Sequence, residues 1–174
     1  MRMIDQDFGK LEATIMMQTH GERGDILLIT DNSPSILQRF DEIQKKTRGR
    51  DLYDMTPEIK LWIESQRLLN GLLTLQILHT SASLLINENY DPDVLVDLKS
   101  FFDRLVPDGD KLFTHTTEGV DDMPAHIRTA LTQCHLSIPV RRGKLVLGQW
   151  QGIFLFEHRY QDFTRRISVH FIGE

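Results

Sequence analysis

The apolar positions of this 174-residue chain recur with two periods, and the switch between them marks out the elements. Residues 1–9 follow neither period and read as an extended or frayed lead-in. Leu11 to Gln18 and Asp25 to Ile29 read as two strands joined by the turn-rich His20-Gly21-Glu22-Arg23-Gly24. Thr30-Asp31-Asn32-Ser33-Pro34 then offers several helix N-caps, and Ile36, Leu37, Phe40 and Ile43 fall on one face of the helix expected to follow. Lys45, Lys46 and Arg48 suit the negative C-terminal end of that helix, and Gly49 can stop it. Residues 49–57 read as a polar connection, after which Ile59, Trp62 and Ile63 predict a second amphipathic helix.

Leu72 to His79 alternates as a half-buried strand, continued beyond a kink by Leu84 to Asn87. Asp91-Pro92 opens a helix whose expected buried stripe is Val94, Leu95, Leu98, Phe101, Phe102 and Leu105, ended by Pro107-Asp108-Gly109. Asp121-Asp122-Met123-Pro124 combines an Asp cap, an acidic first turn and an early proline, and starts a helix running to about Gln133. Leu136 to Val140, Leu145 to Leu147, Gly152 to His158 and Arg165 to Ile172 read as strands, the first two joined by the hairpin connection Arg141-Arg142-Gly143-Lys144. Strands outnumber helices and short turns join most of them, which predicts an α+β fold with a largely antiparallel sheet. No repeat, low-complexity tract or linker divides the chain, so residues 1–174 are expected to form a single domain.

Composition narrows the chemistry more than the fold. Hydrophobic residues make up 40% and charged residues 26%, the balance of a globular chain with a real core. The one cysteine, Cys134, excludes an internal disulfide and a zinc site of several thiolates. The longest nearly apolar run, Gly71 to Leu78, is less than half a membrane span, so no membrane association is expected. The opening MRMIDQDFGK carries no apolar stretch behind Arg2 and does not read as a signal peptide, which makes the cytoplasm the expected compartment. Within the net charge of -5, Glu88 to Asp122 holds ten acidic and three basic residues. An acidic middle does not suit a phosphate backbone, so nucleic acid is not an expected partner. Carboxylates near histidines suit a cation, and arginines nearby suit a phosphoryl or carboxylate group.

Four segments carry ionisable groups where packing does not require them: 79–92, 115–126, 147–152, and 157–159 with Arg165 and Arg166. His115 precedes a loop, His126 lies about a turn into the next helix, and His79 ends an apolar strand. Three neutral imidazoles with a position left for water would make an open zinc-type site. Glu118, Asp121 and Asp122 could then support the ligands or act as general base. The same histidines fit a purely structural role, and spacing does not decide between the two. Ser81, lying two residues from His79, and Ser83 suit hydrogen bonding to an anion better than covalent catalysis, because no nucleophile elbow surrounds them. Trp150, between Gly148 and Gly152, is either a ring on which an aromatic ligand stacks or a core tryptophan beside a β-bulge. Arg159, Arg165 and Arg166 are the candidates for holding a phosphate.

Taken together, HTSASLLINENYDPDVLVDL at 79–98, EGVDDMPAHI at 118–127, LGQWQGIFLFEHR at 147–159 and RRISV at 165–169 resemble the YjbQ family, also called the secondary thiamine-phosphate synthase family. That resemblance implies a small antiparallel β-sandwich with flanking helices, assembled as a homotrimer. It implies a histidine cluster for a divalent metal, with His79, His115 and His126 as leading ligands and Glu118 and Glu157 close by. The expected ion is zinc, which imidazoles prefer, with magnesium as the alternative because diphosphate sites commonly use it. The implied activity joins a hydroxymethylpyrimidine diphosphate to a thiazole phosphate with loss of diphosphate. A small phosphorylated molecule is thus the expected partner, bound by Ser81, Ser83, Asn87, Trp150, Arg159, Arg165 and Arg166, with Glu118, Asp121 and Asp122 as catalytic carboxylates. The alternative is a non-catalytic protein that binds a phosphorylated metabolite or a divalent metal.

Overall fold

The computed structural model describes residues 36–174. The lead-in, the strands expected at Leu11 to Gln18 and Asp25 to Ile29, and the caps at Thr30 to Pro34 lie outside the described residues. Strand β1, Leu37–Arg48, leads to β2, Asp51–Asp54, and helix α1, Thr56–Ser65. Strands β3, Gly71–Ile77, and β4, Ala82–Glu88, precede helices α2, Pro92–Leu105, and α3, Asp122–Leu131. Strands β5, His135–Arg141, β6, Lys144–Leu145, β7, Gln151–Glu157, and β8, Asp162–Gly173, complete the chain. They form a five-stranded sheet of order β1-β8-β3-β5-β6 and a three-stranded sheet of order β2-β7-β4, antiparallel at every pairing.

The helix expected over Ile36 to Arg48 is instead β1, paired with β8 through all twelve residues from Leu37↔Gly173 to Arg48↔Asp162. The error has a definite origin. Leu37, Phe40 and Ile43 are spaced by three, which lines up on a helix but alternates faces on a strand. Leu37 and Ile43 pack against the core, whereas Phe40 points outward and stacks on His170 of β8 with ring centroids 4.4 Å apart. The polar connection expected at 49–57 contains β2, which crosses to the other sheet and pairs with β7. Gly49, at φ +78°, makes the turn between them, where a side chain would meet the Tyr160 carbonyl.

Period-two alternation supplies the inner faces. Leu73, Leu75 and Ile77 of β3, Leu136, Ile138 and Val140 of β5, and Ile167, Val169 and Phe171 of β8 are all buried. They meet Ile59, Trp62 and Ile63 of α1 and Ile153 and Leu155 of β7 in one core. Each such side chain contributes roughly 1.5–3 kcal/mol. The other face of β7, Phe154 and Phe156, packs with Leu52 against Leu95, Leu98 and Phe102 of α2. Strand β7 is therefore apolar on both sides, as a central strand covered on both faces must be. The stripe on α2 is less buried than its pattern suggests: Phe101 and Leu105 remain 51% and 53% exposed, because the narrow sheet beneath offers few apolar partners. Asp91 caps α2 by accepting from the Asp93 N–H. Arg142 and Gly143, both at positive φ, form the two-residue hairpin turn into β6. Among the described residues no helix is long and apolar enough to cross a membrane.

Candidate metal centre

Helix α3 begins where expected, but its first carboxylates do not cap it. Neither Asp121 nor Asp122 closes the helix end; both turn toward Arg159, just after β7. Asp122 and His126, four residues apart on α3, share a helix face, and His115 reaches them from the α2–α3 connection. Asp122 Oδ2 lies 2.6 Å from His115 Nε2 and 3.4 Å from His126 Nε2. One donor atom from each of the three residues falls within 4.8 Å of the others. Asp122 is buried, while the side chains of His115 and His126 remain 42% and 33% exposed, so the cluster opens to solvent on one side.

The protons make the geometry informative. His126 Nδ1 lies 2.9 Å from the Thr80 carbonyl oxygen, which can only accept, so this nitrogen carries a proton. In the neutral ring Nε2 then presents a lone pair toward the Asp122 carboxylate, a repulsive contact unless a proton or a cation intervenes. The donor set, two imidazole nitrogens and one carboxylate oxygen with the far nitrogen of His126 held by a backbone carbonyl, fits a divalent transition metal.

His79 stands apart from this group. Its Nε2 accepts from the Arg166 backbone N–H at 2.9 Å, so Nδ1 carries the proton and no lone pair remains free for a metal. Burial, with Arg165 and Arg166 nearby, holds its pKa below the usual histidine value. Arg159 and Arg165 are committed to carboxylates. Arg159 serves Asp121, Asp122 and the Glu118 carbonyl, and Arg165 is bidentate to Glu157 while donating to Ser81 Oγ at 3.1 Å. Arg166 differs: its side chain is 54% exposed and pairs with Glu42 at 3.2 Å.

Ser83 is fully buried, with Oγ 2.9 Å from His158 Nε2. Burial, reinforced by Arg128, Arg50 and Arg165, lowers the His158 pKa to about 3 and keeps the ring neutral. Trp150 and Asn87 lie at the opposite end of β7 from Arg159. Asn87 pairs with Gly152 at the start of that strand, and seven strand residues span roughly 20 Å. Trp150 is 56% exposed beside Tyr90, not a core residue, and at that separation it is too far away to stack a ring held at the centre.

The connection carrying His115 is tied at both ends. Arg50 and Tyr160 hold Asp108, and buried Arg128 donates to the Val106 carbonyl at 2.7 Å. Arg159 holds the far end through Glu118 and Asp121.

Residues 41–174 match the model of a family described as UPF0047 protein YjbQ-like. The chain belongs to the YjbQ-like UPF0047 family. A UPF0047 protein of Synechocystis sp. is 48% identical over 128 residues, covering 74% of this chain and 87% of that protein. The UPF0047 protein YjbQ of Escherichia coli O157:H7 is 44% identical over 138 residues, covering 79% and 98%. In three dimensions, a YbjQ-like protein of unknown function from Sulfolobus solfataricus matches with a TM-score of 0.73 at 26% identity, over 80% of this chain and all of that one. A hypothetical protein from Aeropyrum pernix gives 0.71 at 28%, over 78% and 99%.

For this YjbQ-like chain, sequence reading missed two things. Asp122 stands with the two imidazoles as a candidate ligand rather than only as a supporting carboxylate, and the Asp-x-x-x-His spacing of residues 122 and 126 across a helix start was the available signal. Arg50 and Arg128 left no signal, because they act through pairings 58 and 22 residues away in sequence.

Proposed function

We propose that this protein binds one divalent transition metal, zinc foremost, through His115, Asp122 and His126, and uses it on a small phosphorylated substrate. The observation that carries the reading is the orientation of His126: Nδ1 donates to the Thr80 carbonyl, which turns Nε2 toward the buried Asp122 carboxylate at 3.4 Å, where a cation can bridge the two. A bound ion of this kind supplies Lewis acidity, polarising a phosphoryl oxygen or easing the departure of a diphosphate. The chain's own groups do the rest. His126 and Asp122 fix the ion from a rigid helix, His115 closes over it from the connection, and the exposed side leaves room for the substrate. Glu118, exposed next to Gly119, is the carboxylate available to take a proton. Arg166, with its guanidinium half open to solvent, is the arginine able to receive a phosphate.

Thiamine-phosphate synthesis, with diphosphate as leaving group, is the specific reaction that the family resemblance attaches to such a centre. A homotrimer is the assembly it implies, supported by the half-open apolar face of α2 at Phe101 and Leu105.

The test is metal content per chain in untagged protein purified without chelator, beside His126→Ala. Near-stoichiometric zinc in the parent protein and its loss in the variant, with folding unchanged, is the expected result. Absence of metal from both, even after incubation with zinc, would remove the reading.

A further inference from the structure

Arg159 is 5% exposed and all three of its guanidinium nitrogens are engaged. Nε donates to Asp121 Oδ2 at 3.1 Å, Nη1 to Asp122 Oδ1, and Nη2 to the Glu118 carbonyl oxygen at 2.6 Å. We propose that Arg159 is the positioning residue that makes Asp122 a one-oxygen ligand, and so biases the centre toward zinc and against oxygen-seeking cations such as magnesium, manganese and calcium. The inference rests on the metal-centre reading above and deepens it.

A free carboxylate offers a metal two oxygens, and cations that need six or more oxygen ligands commonly use both. Here Oδ1 is held by a charge-assisted bond to a buried guanidinium, and Oδ2 alone faces His115 and His126. Turning Oδ1 toward a metal would strip the guanidinium of a partner in a place water does not reach. The centre therefore keeps two nitrogens and one oxygen, three protein donors, which is the count of an open tetrahedral zinc site.

A guanidinium so close to a cation would ordinarily repel it. Asp121, 6% exposed and sharing the same guanidinium, offsets that charge. Asp121, Asp122 and Arg159 together leave one net negative charge for the cation. Asp121 and Arg159 thus have separable roles: Asp121 sets the charge, and Arg159 sets the number of oxygens. Lysine cannot replace Arg159 in the second role, because one ammonium cannot reach Asp121, Asp122 and the Glu118 carbonyl together.

The experiment measures zinc and manganese affinities by competition with a chromophoric chelator, using full-length parent protein, Arg159→Lys, Asp121→Asn and His126→Ala. Arg159→Lys is expected to lose about 10–100-fold in zinc affinity while losing little for manganese, so that the zinc-to-manganese ratio falls at least tenfold. Asp121→Asn is expected to weaken both ions by similar factors and leave the ratio in place. A parental ratio retained in Arg159→Lys would overturn the proposal. Where Arg159→Lys fails to fold, infrared difference spectra of the parent protein on zinc addition decide: the wide carboxylate splitting of one-oxygen coordination supports the proposal, and the narrow two-oxygen pattern overturns it. A parent protein that takes up no zinc would sink the metal-centre reading and this one with it. Zinc bound by the parent, lost in His126→Ala, but with the ratio unmoved by Arg159→Lys would sink this proposal alone.

Discussion

Two buried carboxylates sit side by side, joined through Arg159, and they are satisfied in opposite ways. Glu157 has no acceptor capacity to spare: Oε2 takes Arg165 Nε at 2.6 Å and Thr47 Oγ1 at 2.9 Å, while Oε1 takes Arg165 Nη2 and the Arg159 backbone N–H at 3.1 Å. Asp122 has one oxygen held by an arginine and the other turned toward two half-exposed imidazoles. Both are Asp/Glu–Arg pairs at the same end of β7. The lesson is that an arginine beside a carboxylate says little about function until its oxygens are followed one at a time. The filled carboxylate locks β1, β7 and β8 together through Thr47, Glu157 and Arg165, and the half-filled one is where a ligand has something left to bind.

The sharpest way to break that contrast is to remove the filled partner. Glu157→Gln leaves Arg165, 3% exposed, as a buried charge without its counter-ion. The expected loss is about 3–5 kcal/mol in chemical denaturation, the cost typical of breaking a buried pair from one side. A loss under about 1 kcal/mol would mean that this cluster does not hold the joint.

The sequence showed the motif end of this contrast better than its geometry. His115, His126 and the two aspartates were legible because ionisable residues in an otherwise well-patterned chain need a reason to be there. Among the described residues, six of the eight strands overlap those that alternation placed, since inner faces such as Leu73-Leu75-Ile77 have no second reading. The misplaced elements have physical causes. The spacing of three in β1 imitates a helix, and a tyrosine or leucine inside a polar run, as in β2, carries too few residues to show a period. Arg159 and Arg165 looked like phosphate ligands because nothing in the sequence reveals that Asp122 and Glu157 already occupy them. His79 looked like a metal ligand because the Arg166 N–H that occupies its Nε2 comes from 87 residues away.

The next expected effect is on pH dependence. His158 is fully buried and neutral, with its pKa lowered to about 3. The unfolded chain takes up a proton near pH 6.5 and the folded one does not, so unfolding binds more protons between the two values. Stability therefore falls as pH drops from about 6.5 toward 3, at roughly 1.4 kcal/mol per pH unit for this one group. Measured from pH 6.5 to 4.5, ahead of most carboxylate titration, the loss is expected to be largely absent in His158→Gln. His79, also depressed, contributes with the same sign, so some slope remains. An unchanged slope in the variant would show that the imidazole beside Ser83 is protonated in the folded protein.

His115→Ala sharpens the comparison from the open side. Its ring is 42% exposed, so the stability change is expected to stay within about 1 kcal/mol, the modest range of half-exposed sites. Zinc affinity should fall by at least tenfold. That separation, ligand binding lost and fold kept, is the inverse of Glu157→Gln. A stability loss comparable to that of Glu157→Gln would place His115 with the structural cluster.

Arg166→Ala carries the smallest expected effect on the fold and isolates the third arginine of the region. Its guanidinium meets Glu42 across the β1–β8 pair, with both side chains substantially exposed at 54% and 36%. Exposed pairs of this kind contribute about 0–1 kcal/mol, so denaturation should move by no more than about 0.5 kcal/mol. The N–H that His79 accepts belongs to the backbone and survives the substitution. A weak pair is also one that an anion can displace, which Arg159 and Arg165, buried on their carboxylates, do not allow. Titration of zinc-loaded protein with inorganic phosphate should therefore show weaker binding in Arg166→Ala than in the parent protein. Equal phosphate affinity in the two would remove the last arginine of the set from the substrate and leave the cation as the anion's only electrostatic partner.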